Sequence, residues 1–242
     1  MEDLKILAMI PARMGSTRLQ KKNLALVGGQ PMISYPIRAA KESGVFDKVI
    51  VNSEDVIFKS ITDSLGVDFY QRPIQHASST AKSDAVVYDF LQNNPCDVLV
   101  WVNSIAPLQS ASEIKAVVES FVSNDFDSLI TVKDEQVHCI YDNSPLNYSE
   151  SELFAQTQDL KPVQCFVYSL MMWKAESFIR QYEEQGHAIL CGKVGYYPVS
   201  KLSSLIVKKE EDLMIVDYLA AMMNKNKQYI IKYDSVIEDA KQ

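Results

Sequence analysis

The chain has 242 residues, is 47% apolar and 23% charged, and carries a formal net charge of -7. Those values describe an ordinary globular protein with room for one large domain and a substantial core. The acidic balance excludes a general binder of nucleic acid or of membrane surfaces, because phosphate-rich partners demand positive surface.

Apolar runs alternate with helical periodicity through more than half of the chain. Strands are predicted at residues 5–10, 48–52, 68–70, 98–103 and 128–132, and helices near 32–43, 54–65, 83–92 and 113–123. Ser110 with Glu113 three residues on has the form of a capping box. The second helix is expected to begin at Ser53 and to end on Gly66, whose missing Cβ suits a left-handed cap. Pro36 requires the first helix either to start near Ser34 or to bend. Residues 133–161 lapse into polar, turn-prone sequence: an excursion from the sheet, either an arm toward a second subunit or a plain surface loop. Order resumes at 165–170, followed by a helix near 174–185, a strand at 195–199 and a last helix over 210–223.

Continuous apolar strands such as Val98-Leu99-Val100-Trp101-Val102 between helices imply a mainly parallel sheet covered on both faces. Ligands of such sheets bind at the carboxyl ends of the strands. The segment after the first strand, Asn52-Ser53, Gln71-Arg72-Pro73 and Asn103-Ser104 therefore share one rim. No apolar run reaches transmembrane length, and the acidic Glu2-Asp3 with a short first apolar run predicts no secretory leader. Cys96, Cys139, Cys165 and Cys191 lie far apart with no C-x-x-C, which reads as free thiols of a cytoplasmic protein.

The most informative stretch is residues 10–23, IPARMGSTRLQKKN. A buried strand opens there into a loop with Arg13, Arg18, Lys21 and Lys22, and with Gly15 and Ser16 inside it. Glycine lets backbone approach a ligand, exposed N–H groups and a hydroxyl donate hydrogen bonds, and the cations neutralise oxygens, so the loop reads as a polyphosphate cradle. His76, His138 and His187 show neither metal-ligand spacing nor an acidic neighbour in sequence, which makes a zinc site or a Ser-His-Asp triad the lesser reading.

This stretch resembles the opening motif of the acylneuraminate cytidylyltransferases, I-P-A-R-x-G-S-x-R-L-x-x-K-N. That family also activates related nonulosonic acids and, more distantly, Kdo. The resemblance continues through Gly29-Gln30-Pro31-Met32-Ile33, Phe46-Asp47-Lys48-Val49-Ile50-Val51 and Arg72-Pro73. It runs on, more thinly, through Pro107-Leu108, Asp127-Ser128, Phe166-Val167-Tyr168 and Glu210-Glu211-Asp212-Leu213. It implies a three-layer α/β nucleotidyltransferase (Rossmann-like) fold with a mainly parallel sheet and a protruding dimerisation arm at 133–161, as one domain over 1–242. It also implies transfer of CMP from CTP to a sugar acid with release of pyrophosphate, for surface-glycan synthesis, by a cytoplasmic homodimer.

By the same resemblance Arg13 and Lys22 are the catalytic residues. Ala12, Arg13, Gly15, Ser16, Arg18, Lys22, Asn23, Arg72, Ala81 and Ser83 hold the nucleotide, with Arg72 and backbone groups reading the base. Ser83 reads equally as a helix cap, and Asn103 equally as a strand-end satisfier. Asn103 and Gln164 fall where the family meets the sugar acid, and Gln109 replaces an arginine there. Ser79 replaces an acid. The Mg²⁺ expected from the family is held by an Asp-x-Asp pair that falls on Ile206 and Lys208, neither of which ligates a hard cation. No metal ligands are therefore assigned, and Lys208 offers a tethered ammonium in the metal's place, or is an ordinary exposed lysine. The replacement keeps a second reading open, a nucleotide- or sugar-binding homologue without transferase activity.

Overall fold

The strand β1 (Ile6–Pro11) alternates its side chains between two apolar layers and organises everything around it. Ile6, Ala8 and Ile10 enter one buried cluster, whereas Leu7 and Met9 enter another on the opposite face. The computed structural model describes residues 4–16, 18–78, 80–223, 230, 231 and 233.

After β1 come a 3-10 turn (Lys22–Leu24), a two-stranded ribbon of β2 (Leu26–Val27) and β3 (Gln30–Pro31), and α1 (Ser34–Ser43). Then follow β4 (Lys48–Ser53), α2 (Ile57–Leu65), β5 (Asp68–Gln71), a 3-10 turn (Ile74–Ala77), α3 (Ser83–Asn93), β6 (Val98–Val102) and α4 (Ala111–Ser123). Next are β7 (Ser128–Glu135), a small hairpin of β8 (Ile140–Tyr141) and β9 (Ser144–Pro145), and a 3-10 turn (Thr157–Asp159). The described elements close with β10 (Val163–Lys174), α5 (Ala175–Gln185), β11 (Val194–Pro198) and α6 (Glu210–Met223).

Seven strands form one sheet in the order β11-β7-β10-β6-β1-β4-β5. All neighbours are parallel except β10, which runs antiparallel between β6 and β7. Helices α1, α2 and α4 supply Ile37, Phe58 and Phe121 to one face, and α3 and α5 supply Phe90 and Phe178 to the other. The expected α/β architecture with a mainly parallel sheet is the observed one. A third cluster lies off the sheet, where Val216 and Ala220 of α6 pack on Val27, Met32, Leu108 and Val207. There the Asp217 carboxylate accepts from the Gly28 amide (2.6 Å), tying α6 to the β2–β3 ribbon.

Several boundaries differ from expectation for identifiable reasons. Helix α2 starts at Ile57 and not at Ser53. Ser53 is buried in β4, its Oγ accepts from Asp55 N (3.2 Å), and Asp55 Oδ1 accepts from Ile57 N (2.9 Å). Two successive side-chain turns therefore precede the helix. Pro36 sits in the first turn of α1, where it costs no intrahelical bond. Ser110 caps α4 as expected, accepting from the Glu113 amide (3.2 Å), but the Glu113 carboxylate turns outward to accept from Ser200 N (2.7 Å).

Strand β10 extends over twelve residues instead of stopping at Leu170. It carries a register break between Phe166 and Met171, with Tyr168 at φ 57. Glu135 pairs with Val163, so β7 continues through Lys133 and the excursion from the sheet spans residues 136–162. Cys191 is buried and the other three free cysteines are half-buried; burial pushes the Cys96 thiol up to about 12 and the Cys191 thiol up to about 11. Among the described residues no helix is long and apolar enough to cross a membrane.

Candidate nucleotide site

The carboxyl ends of β1, β5 and β6 open onto a cleft of about 330 Å³. The loop after β1 forms one wall with Arg13, Ser16, Arg18, Lys22 and Asn23. The connection from β5 to α3 forms the other with Arg72, His76, Ser78, Ala81 and Ser83, and Trp101 and Asn103 lie between them.

Of the residues expected at the site, Ala12, Arg13, Ser16, Arg18, Lys22, Asn23, Arg72, Ala81, Ser83 and Asn103 line this one cleft. Gly15 does not line it. It is exposed, a Cβ there would meet nothing within 4 Å, and no close approach or left-handed φ requires glycine. Gln164 also lies elsewhere, at the start of β10, where its amide donates to Asp134 Oδ1 (3.0 Å) on the paired strand. Ser79 lies outside the described residues.

The loop is anchored by a buried ion pair. Arg72 is 5% exposed and its Nη2 donates both to the Ala12 carbonyl (2.9 Å) and to Glu54 Oε2 (3.0 Å). The other carboxylate oxygen of Glu54 accepts from the Met14 amide (2.9 Å). One guanidinium and one carboxylate thus hold the backbone on both sides of Arg13. The Arg13 Nη1 donates to Ser78 O (3.1 Å), which bridges the two walls. Asn103 is committed locally: its Nδ2 donates to Tyr168 O (2.9 Å) and its Oδ1 accepts from Ile105 N (3.3 Å). Ser83 is the first residue of α3 and Lys82 stands at the N-cap, so Ser83 does not occupy the capping position.

Lys22 donates to Val207 O (3.0 Å) and joins the loop to the segment before α6. Burial, then the neighbouring Arg18 and Arg13, lower its pKa from 10.5 to about 8, and Lys208 adds to the effect. Like charges held this close mark a site that favours an anion. Three buried polar atoms of the lining have no hydrogen-bond partner among the described residues: Asn23 Oδ1, Arg72 Nε and Trp101 Nε1. Each costs about 1–3 kcal/mol while unpaired.

The donor set does not fit a magnesium site. Ile206 packs against the core, and the amides of Lys208 and Lys209 both donate to Asp212 Oδ2 (2.8 Å each), which occupies that carboxylate oxygen at the head of α6. Among the described residues no three His, Cys, Asp or Glu side chains cluster in a way that could hold a metal.

Glu54 and Trp101 were not singled out by the sequence, and His76 was weighed there only as a metal ligand or triad member. Glu54 directly follows the rim segment Asn52-Ser53, and that adjacency was the available signal. His76 does meet an acid, with Nε2 3.8 Å from Asp89 Oδ1, a proximity that the fold creates. Trp101 sits in a continuous apolar strand and carries no sequence signal for a cleft.

The cytidylyltransferase family matches residues 7–185. The N-acylneuraminate cytidylyltransferase of Streptococcus agalactiae serotype III is 28% identical over 224 residues, 88% of this chain and 52% of that protein. The pseudaminic acid cytidylyltransferase of Campylobacter jejuni is 33% identical over 127 residues, 50% of this chain and 55% of that protein. This chain thus spans about half the length of these curated relatives. A solved structure of CMP:2-keto-3-deoxy-manno-octonic acid synthetase complexed with CTP shares the fold. It has a TM-score of 0.69 at 13% identity, covering 92% of this chain and 100% of that one.

Glu54→Gln leaves the Arg72 charge buried and unpaired, and is expected to lower the unfolding free energy by about 3 kcal/mol in urea titrations. Adding Arg72→Met to that variant is expected to cost less than the sum of the single changes. Strict additivity would show that the pair does not act as a unit.

Proposed function

The chain belongs to the cytidylyltransferase family, and from that premise we propose that it transfers CMP from CTP to a sugar acid of the nonulosonic or a related class, for surface-glycan synthesis. The observation that carries this reading is the crowding of Arg13, Arg18 and Lys22 on one wall of a rim cleft in an acidic chain.

In the proposed reaction the acceptor's anomeric hydroxyl oxygen bonds to the α-phosphorus of CTP. The bond from that phosphorus to the pyrophosphate oxygen breaks, pyrophosphate leaves, and the hydroxyl proton passes to water. Chemistry of this kind is mostly positioning and charge neutralisation. Arg13 and Lys22 would offset the negative charge that grows on the leaving pyrophosphate. Arg18, Ser16 and Asn23 would hold the phosphates, and Arg72 with Ala81 and Ser83 the nucleoside. Ile206 and Lys208, which stand where the family keeps its magnesium ligands, do not suit the metal, and the charge neutralisation falls to the loop cations.

The exposed apolar side chains of the excursion, among them Ile140, Tyr141, Leu153 and Phe154, support a homodimer contact there. Free cysteines support a reducing cytosol. A second reading, nucleotide binding without transfer, is favoured only by Ile206 and Lys208 standing where the family keeps carboxylates.

Pyrophosphate release from CTP with a panel of nonulosonic and related sugar acids tests the reading. Turnover is expected, falling about 100-fold in kcat/KM with Arg13→Ala. Absence of pyrophosphate with every acid at every Mg²⁺ level overturns it, and CTP binding without turnover leaves the second reading. Lys22 adds an independent check. With its pKa near 8 in the free protein and raised by bound phosphate, nucleotide binding at pH 8 should take up about half a proton. Calorimetry in buffers of different ionisation enthalpy measures that uptake, which Lys22→Gln should abolish.

A further inference from the structure

The cleft is chemically asymmetric. Its cations stand on the loop after β1, whereas the opposite wall presents His76, Ser78, Ala81 and Ser83, with Val86 and Trp101 at its base. A triphosphate drawn to the first wall leaves its nucleoside against the second. Arg72, the one cation on that second wall, spends its Nη2 on Ala12 and Glu54. Those bonds leave Arg72 its Nε donor, and the wall offers other groups beside it for reading the base edge.

His76 is held for such a task. It lies in the short 3-10 turn Ile74–Ala77, with Nε2 3.8 Å from Asp89 Oδ1 on α3. The second oxygen of Asp89 accepts from the Tyr70 hydroxyl (2.9 Å) on β5. Tyr70 is itself fixed edge-on against Phe90, with ring centroids 5.6 Å apart. Burial, then Asp89, pushes the Tyr70 pKa up to about 12, so it remains a donor. In the neutral imidazole, a carboxylate on the Nε2 side favours the tautomer with its proton there, which leaves Nδ1 as the acceptor. At the base of the same wall the buried Trp101 indole N–H has no partner among the described residues.

We propose that His76 and Trp101 read the pyrimidine edge of the bound nucleotide, with Asp89 and Tyr70 as positioning residues. Trp101 Nε1–H donates to a ring carbonyl oxygen, which cytosine and uracil share. His76 Nδ1 accepts from the exocyclic amine, which cytosine alone carries; uracil would set a carbonyl oxygen against that lone pair. Discrimination thus comes from a repulsive as well as an attractive element. This rests on the cleft being the nucleotide site.

Calorimetric titration of CTP and UTP into the wild type, His76→Ala, His76→Asn, Asp89→Asn and Trp101→Phe tests it, with thermal melts to establish folding. His76→Ala should weaken CTP about 10-fold, because a hydrogen bond is lost, and leave UTP unchanged or bound more tightly, because a repulsion is relieved. His76→Asn, which keeps an acceptor, should recover CTP to within about 3-fold of wild type, and Asp89→Asn should fall between. Trp101→Phe should weaken both nucleotides alike, about 5-fold. An unchanged CTP-to-UTP ratio in His76→Ala, or in His76→Asn should the alanine variant not fold, overturns the proposal and leaves the nucleotide site standing. A wild type that binds neither nucleotide overturns both.

Discussion

Arg72 is buried with its guanidinium shared between the Ala12 carbonyl and Glu54, and the Glu54 carboxylate in turn holds the Met14 amide. The loop that carries the site's cations is therefore not free to swing away from the strand ends. That matters because Arg13, Arg18 and Lys22 repel one another, and burial together with that repulsion lowers the pKa of Lys22. An unanchored loop would relax by spreading its charges into water. Anchored, it keeps them converged on one cleft, ready for a ligand with several negative oxygens.

The second support comes from α6. That helix packs off the sheet against the β2–β3 ribbon and holds Val207 where Lys22 donates to its carbonyl. Asp212 caps the turn before the helix and Asp217 takes the Gly28 amide, so both carboxylates stabilise structure. Lys208 lies close enough to Lys22 to help lower its pKa. The consequence is a cleft to which the protein contributes ammonium and guanidinium groups, with Ile206 and Lys208 in place of a carboxylate pair.

Much of the fold was legible from contiguous signals. The apolar runs of β1, β4 and β6 and the basic loop beside Pro11 lie in unbroken stretches, and periodicity reads such stretches directly. What escaped depends on pairing across the sheet. Parallel register sets Ser53 opposite Gln71, and that alone brings Glu54 to Arg72. His76 meets Asp89 only because α3 folds back over the end of β5. The end of β10 was missed because Met171, Met172 and Trp173, like Leu170 before them, are buried between two neighbouring strands and show no alternation. Gln164 followed a motif, but its pairing with Asp134 turns it away from the cleft.

Neutralisation of a triphosphate by the side chains of the anchored loop is most directly tested by titrating CTP into the protein in EDTA over a range of ionic strength. Saturable binding without divalent metal, weakening steeply as salt rises, is the expected result. Binding that is absent in EDTA and present once Mg²⁺ is added would contradict it.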